Sequence, residues 1–299
     1  MMSKTSIYLA TIAVLTALNA WLFFFDGPQK ATGNSRLYFE NFPNDQVNKV
    51  TLRLEEDTLD LTLGEGGENW ILNDQYKADD SFVRTLLSVL QRIETVRTIG
   101  QWEGAFLGEV LLQFENGKSN EFQFATNPTQ TKSYLIQNQN ATEVVVPGYR
   151  DNVVSIFTLH PDQWRDRLIF DGSWRTIQKV EIQHGAGKSA KIQFEDKFFL
   201  VNGVAPADSS AVVDYLNQFQ YLEANEMISK GRFPVFDSLS QTKPVFTIII
   251  DDIKLDQVFA LSIFPKLEGQ AYHLLAIDGQ MLVMDAKRVD LLIPPEGRF

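Results

Sequence analysis

The sequence contains no cysteine among its 299 residues. This absence excludes disulfide bonds, thiolate catalysis, metal sites with Cys ligands and a lipid anchor on an N-terminal Cys. The three histidines are widely separated and do not form the HExxH zinc motif. The phosphate-loop motif GxxxxGK[ST] and the GxSxG motif around a nucleophilic serine are also missing. We therefore predict a non-enzymatic protein with no cofactor and no bound metal.

Basic residues are also few. The chain has 27 Lys and Arg against 38 Asp and Glu, a net charge of -11. This charge argues against binding to nucleic acid, whose phosphates require clustered cations, and against broad contact with anionic lipid headgroups. Hydrophobic residues make up 44% of the sequence and include 22 Phe, enough for two packed cores. The composition therefore predicts a folded protein of about two domains.

Charged residues are absent from Ser6–Phe25, a run of twenty residues near the start of the chain. As a helix this run spans about 30 Å, the thickness of the hydrocarbon core of a bilayer. Pro28 follows it and prevents an easy continuation of the helix. Lys4 precedes it, which favours an N-terminus in the cytoplasm. We therefore predict a transmembrane helix at about residues 6–25.

A cleaved signal peptide is the alternative for this segment. Cleavage after Ala20 would place the bulky Leu18 where signal peptidase needs a small residue. The uncleaved form is therefore favoured, with residues 1–29 as a single-pass signal anchor in the cell inner membrane. The bulk of the chain, residues 30–299, is then expected in the periplasm.

Downstream of this segment the sequence repeats itself once. The offset between matching segments falls only from 131 to 129 residues along the chain. Similarity at a fixed long period is the signature of a repeated structural unit. The domain predictions are therefore a first repeat at 30–157 and a second at 158–299. The matching pairs are Arg36–Glu40 with Arg167–Asp171, Val47–Leu52 with Ile177–Ile182, and Ala78–Ser81 with Ala207–Ser210.

Each repeat is predicted to be an α+β unit with a largely antiparallel sheet and one packed helix. Leucines at 59, 61 and 63 alternate with polar residues, the pattern of a half-buried strand. Asn116-Gly117 between two apolar runs predicts a hairpin, because both residues tolerate positive φ. The order in each unit is three strands, a helix, four strands and a short terminal helix. Tight turns between strands favour antiparallel pairing.

The central helix of each repeat is predicted from a capping residue followed by apolar residues at helical spacing. Asp79 or Asp80 caps the first helix, and Asp208 caps the second. We expect the apolar stripe of each helix to face its sheet. The stripe residues are Val83, Leu87, Leu90 and Ile93 in the first repeat, and Val212, Leu216, Phe219 and Leu222 in the second.

Acidic pairs and glycine-rich stretches offer weaker candidates for chemistry. The pairs Asp79-Asp80 and Asp251-Asp252 lie at predicted turns or helix starts, where carboxylates serve as caps. Gly64–Gly67 and Gly185–Lys188 connect one predicted strand to another, whereas a phosphate loop leads from a strand into a helix. We interpret all four as structural features.

Tryptophan and arginine cluster near the junction of the repeats, in an otherwise acidic chain. These residue types are enriched at the energetic centres of protein interfaces. The join at 158–166 is short and apolar, so we expect the repeats to pack against one another. An interface between the repeats is favoured, and a partner-binding surface is the alternative. The candidate interaction residues are Trp164, Arg165, Arg167, Trp174 and Arg175.

The segment from Phe39 through Val50 to Trp70, followed by Ala78-Asp79 and the leucine-rich helix, resembles an uncharacterised bacterial family. Its members are single-pass anchored envelope proteins, commonly encoded beside ABC-type transporters of the gliding-motility auxiliary kind. The resemblance covers residues 36–150 and 167–293, although the second copy carries Phe199 in place of the Trp. It brings no catalytic residues.

The resemblance implies a non-enzymatic accessory subunit or scaffold of an envelope complex, associated with a transporter or with motility. Its expected partners are the membrane, through the N-terminal helix, and subunits of a membrane-protein complex. The Trp and Tyr content supports an alternative, an extracytoplasmic module that binds a glycan or a peptide.

Overall fold

The computed structural model describes residues 36–293, except 41, 44–45, 56, 150–151, 186, 188 and 207. Antiparallel sheets dominate this part of the chain and helices are few, which confirms the predicted α+β class. The predicted transmembrane segment Ser6–Phe25 lies outside the described residues. Among the residues that are described, no helix is long and apolar enough to cross a membrane.

The described residues of the first half form a ten-stranded antiparallel sheet in the order β1-β6-β10-β9-β8-β7-β2-β3-β4-β5, with one α-helix, α1. A 3₁₀ helix at Val153–Thr158 closes this half. The elements are β1 (Arg36–Leu37), β2 (Val47–Leu54), β3 (Thr58–Leu63), β4 (Trp70–Leu72), β5 (Tyr76–Lys77), α1 (Asp80–Arg92), β6 (Glu94–Gln101), β7 (Gly108–Phe114), β8 (Ser119–Thr126), β9 (Ser133–Gln137) and β10 (Asn140–Val145).

The second half forms an eight-stranded sheet in the order β14-β13-β12-β17-β18-β19-β20-β16, and β11 pairs with β15 beside it. 3₁₀ helices at Pro161–Trp164 and Asn217–Phe219 complete the elements. The others are β11 (Leu168–Phe170), β12 (Ile177–His184), β13 (Ser189–Glu195), β14 (Phe198–Val201), α2 (Ser209–Leu216), β15 (Leu222–Glu223), β16 (Glu226–Ile228), α3 (Pro234–Ser240), β17 (Phe246–Asp252), β18 (Phe259–Ile263), β19 (Tyr272–Ile277), β20 (Gln280–Asp285) and α4 (Ala286–Leu292).

The two sheets share a strand order. Read from β4 to β6, the first sheet runs β4-β3-β2-β7-β8-β9-β10-β6, and the second runs through its eight strands in the corresponding sequence. The central pairs β2–β7 and β12–β17 also have a register shift at the same place. It falls between Val47 and Lys49 in the first sheet and between Ile177 and Lys179 in the second. A β-bulge at a corresponding site is a specific geometric feature and not a general property of sheets.

Helix α1 has the cap and the buried face that the sequence predicts. The Asp79 carboxylate accepts hydrogen bonds from the backbone N–H groups of Ser81 and Phe82, at 3.0 and 3.1 Å. These bonds satisfy donors that have no partner inside the helix. Ile93 is buried as expected, but it lies just after the last helical residue. The buried residues within the helix are Val83, Leu86, Leu87 and Leu90.

Helix α2 is shorter than predicted. Asp208 caps it as expected, by accepting hydrogen bonds from the backbone of Ser210 and Ala211. The predicted stripe is fully buried, but the helix ends at Leu216, and Leu222 belongs to β15. Tyr221, with a φ of 48°, turns the chain so that Leu222 can pair with β11. A continuous helix to Leu222 was therefore the wrong interpretation of this spacing.

Several elements were not predicted from the sequence. Strands β6 and β16 follow the central helices and extend each sheet beyond β10 and β20. Most side chains of β6 are exposed, so this strand lacks the alternation by which strands are recognised. Helix α3 packs Phe236 and Leu239 on a small apolar cluster that includes Phe264. The prediction of one packed helix for each unit is therefore too simple for the second half.

Candidate functional site

The five predicted interaction residues fall into two groups. Trp164 is buried in the core of the first half and Arg165 between the two halves, whereas Arg167, Trp174 and Arg175 are exposed. Residues that are close together in the sequence therefore lie in two different environments.

Trp164 belongs to the core of the first half. Its side chain is fully buried, and its ring centroid lies 4.7 Å from that of Phe82 on α1. The Trp164 carbonyl accepts a hydrogen bond from the N–H of Asp79 at 2.8 Å, and Arg165 forms a β-bridge with Ala78. The start of the second predicted repeat is therefore attached to the first half by both side chain and backbone.

Arg165 is the centre of the contact between the halves. Only 4% of its surface is exposed, and its Nη2 donates a hydrogen bond to Oε1 of Gln280 at 2.5 Å. Its guanidinium carbon lies 3.9 Å from the centroid of the Tyr76 ring. Its Nη1 lies 3.6 Å from Oδ1 of Asp162. One arginine thus contacts side chains of both sheets.

Asp162 balances the charge in this joint. Its buried carboxylate accepts hydrogen bonds from the N–H and hydroxyl of Ser229, at 2.9 and 2.5 Å, and from Nη1 of Arg232 at 3.2 Å. A buried charge is tolerated only with such partners. Nearby, the Lys77 ammonium donates a hydrogen bond to Asp166, which raises the pKa of Lys77. Trp164 and Arg165 therefore form structural contacts within the chain.

Trp174 and Arg175 lie on the surface of the second half. They are the central residues of a turn in which the N–H of Thr176 donates to the carbonyl of Ser173 at 2.9 Å. Trp174 is 40% exposed, and the guanidinium carbon of Arg175 lies 5.3 Å from its ring centroid. The turn thus presents an aromatic ring and a cation to solvent.

A second loop lies beside this turn and carries further exposed apolar side chains. Residues 253–258 connect β17 to β18, and the N–H of Ile253 donates to the carbonyl of Thr176 at 3.1 Å. Ile253 is 67% exposed, and Leu255 and Val258 are also exposed. We define the two-loop surface as the set Trp174, Arg175, Ile253, Leu255 and Val258.

A buried carboxylate holds the two loops together. Asp252 accepts a hydrogen bond from the Thr176 hydroxyl at 2.7 Å and another from the N–H of Lys254 at 2.9 Å. The ammonium of Lys254 in turn donates to the carbonyl of Asp171 at 3.1 Å. A Cβ at Gly172 would lie 2.5 Å from Oδ2 of Asp252, so this contact requires glycine. The apolar side chains are therefore presented on a fixed support.

The predicted turn function of the Asp251-Asp252 pair is only part of its role. Both residues belong to the end of β17, and their side chains differ in burial, with Asp251 exposed and Asp252 buried. Asp252 is the anchor that sequence reasoning missed. Asp252 acts as an anchor because it accepts a hydrogen bond from Thr176, which lies 76 residues away in the chain.

The histidines perform structural roles in three separate places. His160 caps the 3₁₀ helix Pro161–Trp164 through Nδ1, which accepts from the N–H of Asp162 at 3.1 Å. The ring of His184 packs edge-on against Phe246, and Nδ1 of His273 lies 3.3 Å from the carbonyl oxygen of Phe264. Within the described residues no three His, Cys, Asp or Glu side chains are grouped so that they could hold a metal ion.

Arg167 contributes its backbone to the fold. Its carbonyl accepts a hydrogen bond from the N–H of Ala224 at 2.8 Å, and its side chain is exposed.

Comparison of the chain with models of known families, with curated proteins and with solved structures finds no match. The family resemblance therefore stays a prediction, and the functional argument rests on the geometry of the chain itself.

Proposed function

We propose that this protein is a non-enzymatic accessory subunit that binds a partner protein through the two-loop surface. The observation that carries the proposal is the exposure of Trp174 and Ile253 on loops held by the buried Asp252. An exposed Trp and an Arg on a rigid support supply large contact area with little loss of side-chain entropy on binding. Exposed apolar side chains on neighbouring loops commonly mark interaction sites.

The proposal includes a duplicated architecture anchored in the cell inner membrane. The sequence repeat, the shared strand order and the matching bulges support two homologous α+β units, 30–157 and 158–299. The apolar segment Ser6–Phe25 supports a single-pass anchor with the two units in the periplasm. The resemblance adds a transporter-associated or motility-associated complex as the setting.

The test is isolation of the full-length protein from membranes of its native host in a mild detergent. We expect partner subunits to co-purify with the wild type and to be lost from the variant W174S/I253D. The matched control is F198S/V204D, which also removes exposed apolar side chains but lies on and just after β14 at the edge of the second sheet. Recovery of the wild type alone, or retention of partners by W174S/I253D, would contradict the proposal.

The topology is tested separately with a single introduced cysteine, because the chain has none of its own. Lys197→Cys lies at an exposed hairpin turn, and we expect a membrane-impermeant maleimide to label it in intact spheroplasts. Labelling only after lysis would place the two units in the cytoplasm and overturn this part of the proposal.

A second candidate function is binding of a glycan or a peptide in a cleft between the two halves. The cleft has a volume of about 250 Å³ and combines polar and apolar walls, including Tyr76, Lys77, Leu168 and Gln280. Ligand sites often lie at such junctions. A thermal-shift screen of glycans and peptides on residues 30–299 tests this function. A ligand that raises the melting temperature of the wild type should not raise that of Gln280→Ala but should still raise that of W174S/I253D.

A further inference from the structure

We infer that the exposed flank of α1 is a binding site for an acidic peptide segment of a partner protein. Two adjoining clefts, of about 340 and 290 Å³, lie along this flank. Arg84 and Ser88 line both clefts, so they form one elongated groove, which we call the α1 groove. This site is separate from the two-loop surface and does not depend on the function proposed above.

The groove carries two cations without acidic partners. Arg84 and Arg92 are exposed, and within the described residues neither side chain forms an ion pair or a hydrogen bond. Arg53 on β2, by contrast, is exposed and forms an ion pair with Glu109. Glu68 is the one acidic residue among the described residues that line the two clefts. In a chain with a net charge of -11, the groove is therefore locally positive.

The spacing of the two arginines matches an elongated ligand. Arg84, Ser88 and Arg92 follow one another at intervals of four residues, so they share a face of the helix. The arginines are about 12 Å apart along the helix axis, from a rise of ~1.5 Å per residue. Carboxylates four residues apart on an extended chain have about the same separation, at ~3.3 Å per residue.

The groove also has apolar walls, which favour a peptide over a simple polyanion. Leu87, Trp70 and Val146 are buried but still line the clefts, and Tyr149 stands at the rim with 60% of its surface exposed. A segment that alternates acidic and apolar side chains would pair with the arginines and also contact the apolar walls. The apolar residues are recessed, whereas insertion into a membrane requires apolar side chains that protrude.

The described part of the second half has no arginine at the positions that correspond to Arg84 and Arg92. At the repeat offset of 129 residues, Val213 corresponds to Arg84 and Tyr221 to Arg92. Helix α2 also ends at Leu216, so its equivalent flank is shorter. The cations are therefore a property of the first half and not of the shared architecture.

The experiment measures fluorescence anisotropy of a short labelled peptide in which glutamate alternates with leucine and serine. The full-length protein is held in an uncharged detergent, and a peptide with glutamine in place of glutamate is the matched probe. We expect the wild type to bind the glutamate peptide and R84E/R92E to bind it at least about tenfold more weakly, since both charge contacts are reversed. The glutamine peptide should bind at least about tenfold more weakly to the wild type.

The control variant K118E/K197E changes the net charge by the same amount at two exposed sites remote in sequence from α1. It should bind the glutamate peptide like the wild type, and so should W174S/I253D. The proposal is overturned if the wild type does not bind the glutamate peptide, or if both charge-reversal variants weaken binding equally. Binding to phosphatidylglycerol vesicles in place of the peptide would identify a membrane contact and would also overturn it.

Discussion

Trp164 and Trp174 are ten residues apart in the sequence, and each is followed directly by an arginine. Their environments are nevertheless opposite, because Trp164 packs under Phe82 and Trp174 stands on an exposed turn. Composition near the junction singled out this stretch but could not separate its buried residues from its exposed ones. Whether each Trp is buried or exposed depends on how it lies against α1 and the β17–β18 loop. Both elements are remote from this stretch in the chain.

Replacement of each Trp by Ala should separate these environments. We expect Trp164→Ala to lower the free energy of unfolding by about 3–5 kcal/mol, since it leaves a large cavity in the core. Trp174→Ala should change it by less than about 0.5 kcal/mol, as is usual at exposed sites. Urea denaturation of residues 30–299 measures both. Similar losses for the two variants would contradict the burial described here.

The buried carboxylate of Asp162 provides a second test at this scale. Asp162→Ala leaves Arg165 and Arg232 without this anion, and we expect a loss of about 3–5 kcal/mol in the free energy of unfolding. The control is Asp166→Ala, which removes the partner of the half-exposed Lys77 and should cost less than about 1 kcal/mol. A small loss for Asp162→Ala would show that this joint is not the main contact between the halves.

At the scale of elements, the central helices follow closely from the sequence. Capping and helical spacing are local properties, so Asp79, Asp208 and the buried stripes were predictable. Strand β6 was not, since most of its side chains are exposed and it lacks the alternation of buried and exposed residues. The early end of α2 was not predictable either, because pairing of Leu222 with β11 competes with continuation of the helix.

The helical stripes predict matched core mutations. Leu87→Ala and Leu216→Ala should each lower the free energy of unfolding by about 2–5 kcal/mol, the usual range for truncation of a buried leucine. Ser88→Ala, on the exposed side of α1, is the control and should be close to neutral. Chemical denaturation measures all three, and a loss below about 1 kcal/mol at either leucine would contradict the packing of that helix on its sheet.

An ion-pair group of Glu143 on β10, Arg97 on β6 and Lys132 predicts a pH dependence. Burial alone would raise the pKa of Glu143, but hydrogen bonds from Arg97 and Lys132 outweigh burial and hold the pKa below its ordinary value of 4.5. The folded protein therefore binds this proton less readily than the unfolded chain. The resulting stabilisation is complete above about pH 4.5 and disappears as the pH falls through the folded-state pKa.

Glu143→Gln should remove this contribution. We expect the melting temperature of the wild type to fall more steeply below about pH 4.5 than that of the variant, while the variant is less stable near neutral pH. Glu121→Gln, at an exposed site on β8, serves as the control and should keep the acid dependence of the wild type. Parallel curves for wild type and Glu143→Gln would show that this pair does not stabilise the fold.

At the scale of the whole molecule, the described residues carry their own cores. One large apolar cluster lies in each half, and each is built from described residues. Residues 30–299 should therefore be soluble and unfold cooperatively without the predicted anchor. Circular dichroism during thermal unfolding measures this, and an insoluble or unstructured product would mean that the first 29 residues support the fold.

The sequence by itself determined the α+β class, the capped helices with their buried stripes and the Asn116-Gly117 hairpin. These depend on periodicity and turn chemistry, which act over a few residues. Only the tertiary structure decided which Trp and Arg residues are buried, and which loops meet around Asp252. The hydrogen bond from Arg165 to Gln280 spans 115 residues, and that from Thr176 to Asp252 spans 76. Contacts over such distances depend on how the sheets pack, and no local pattern encodes them.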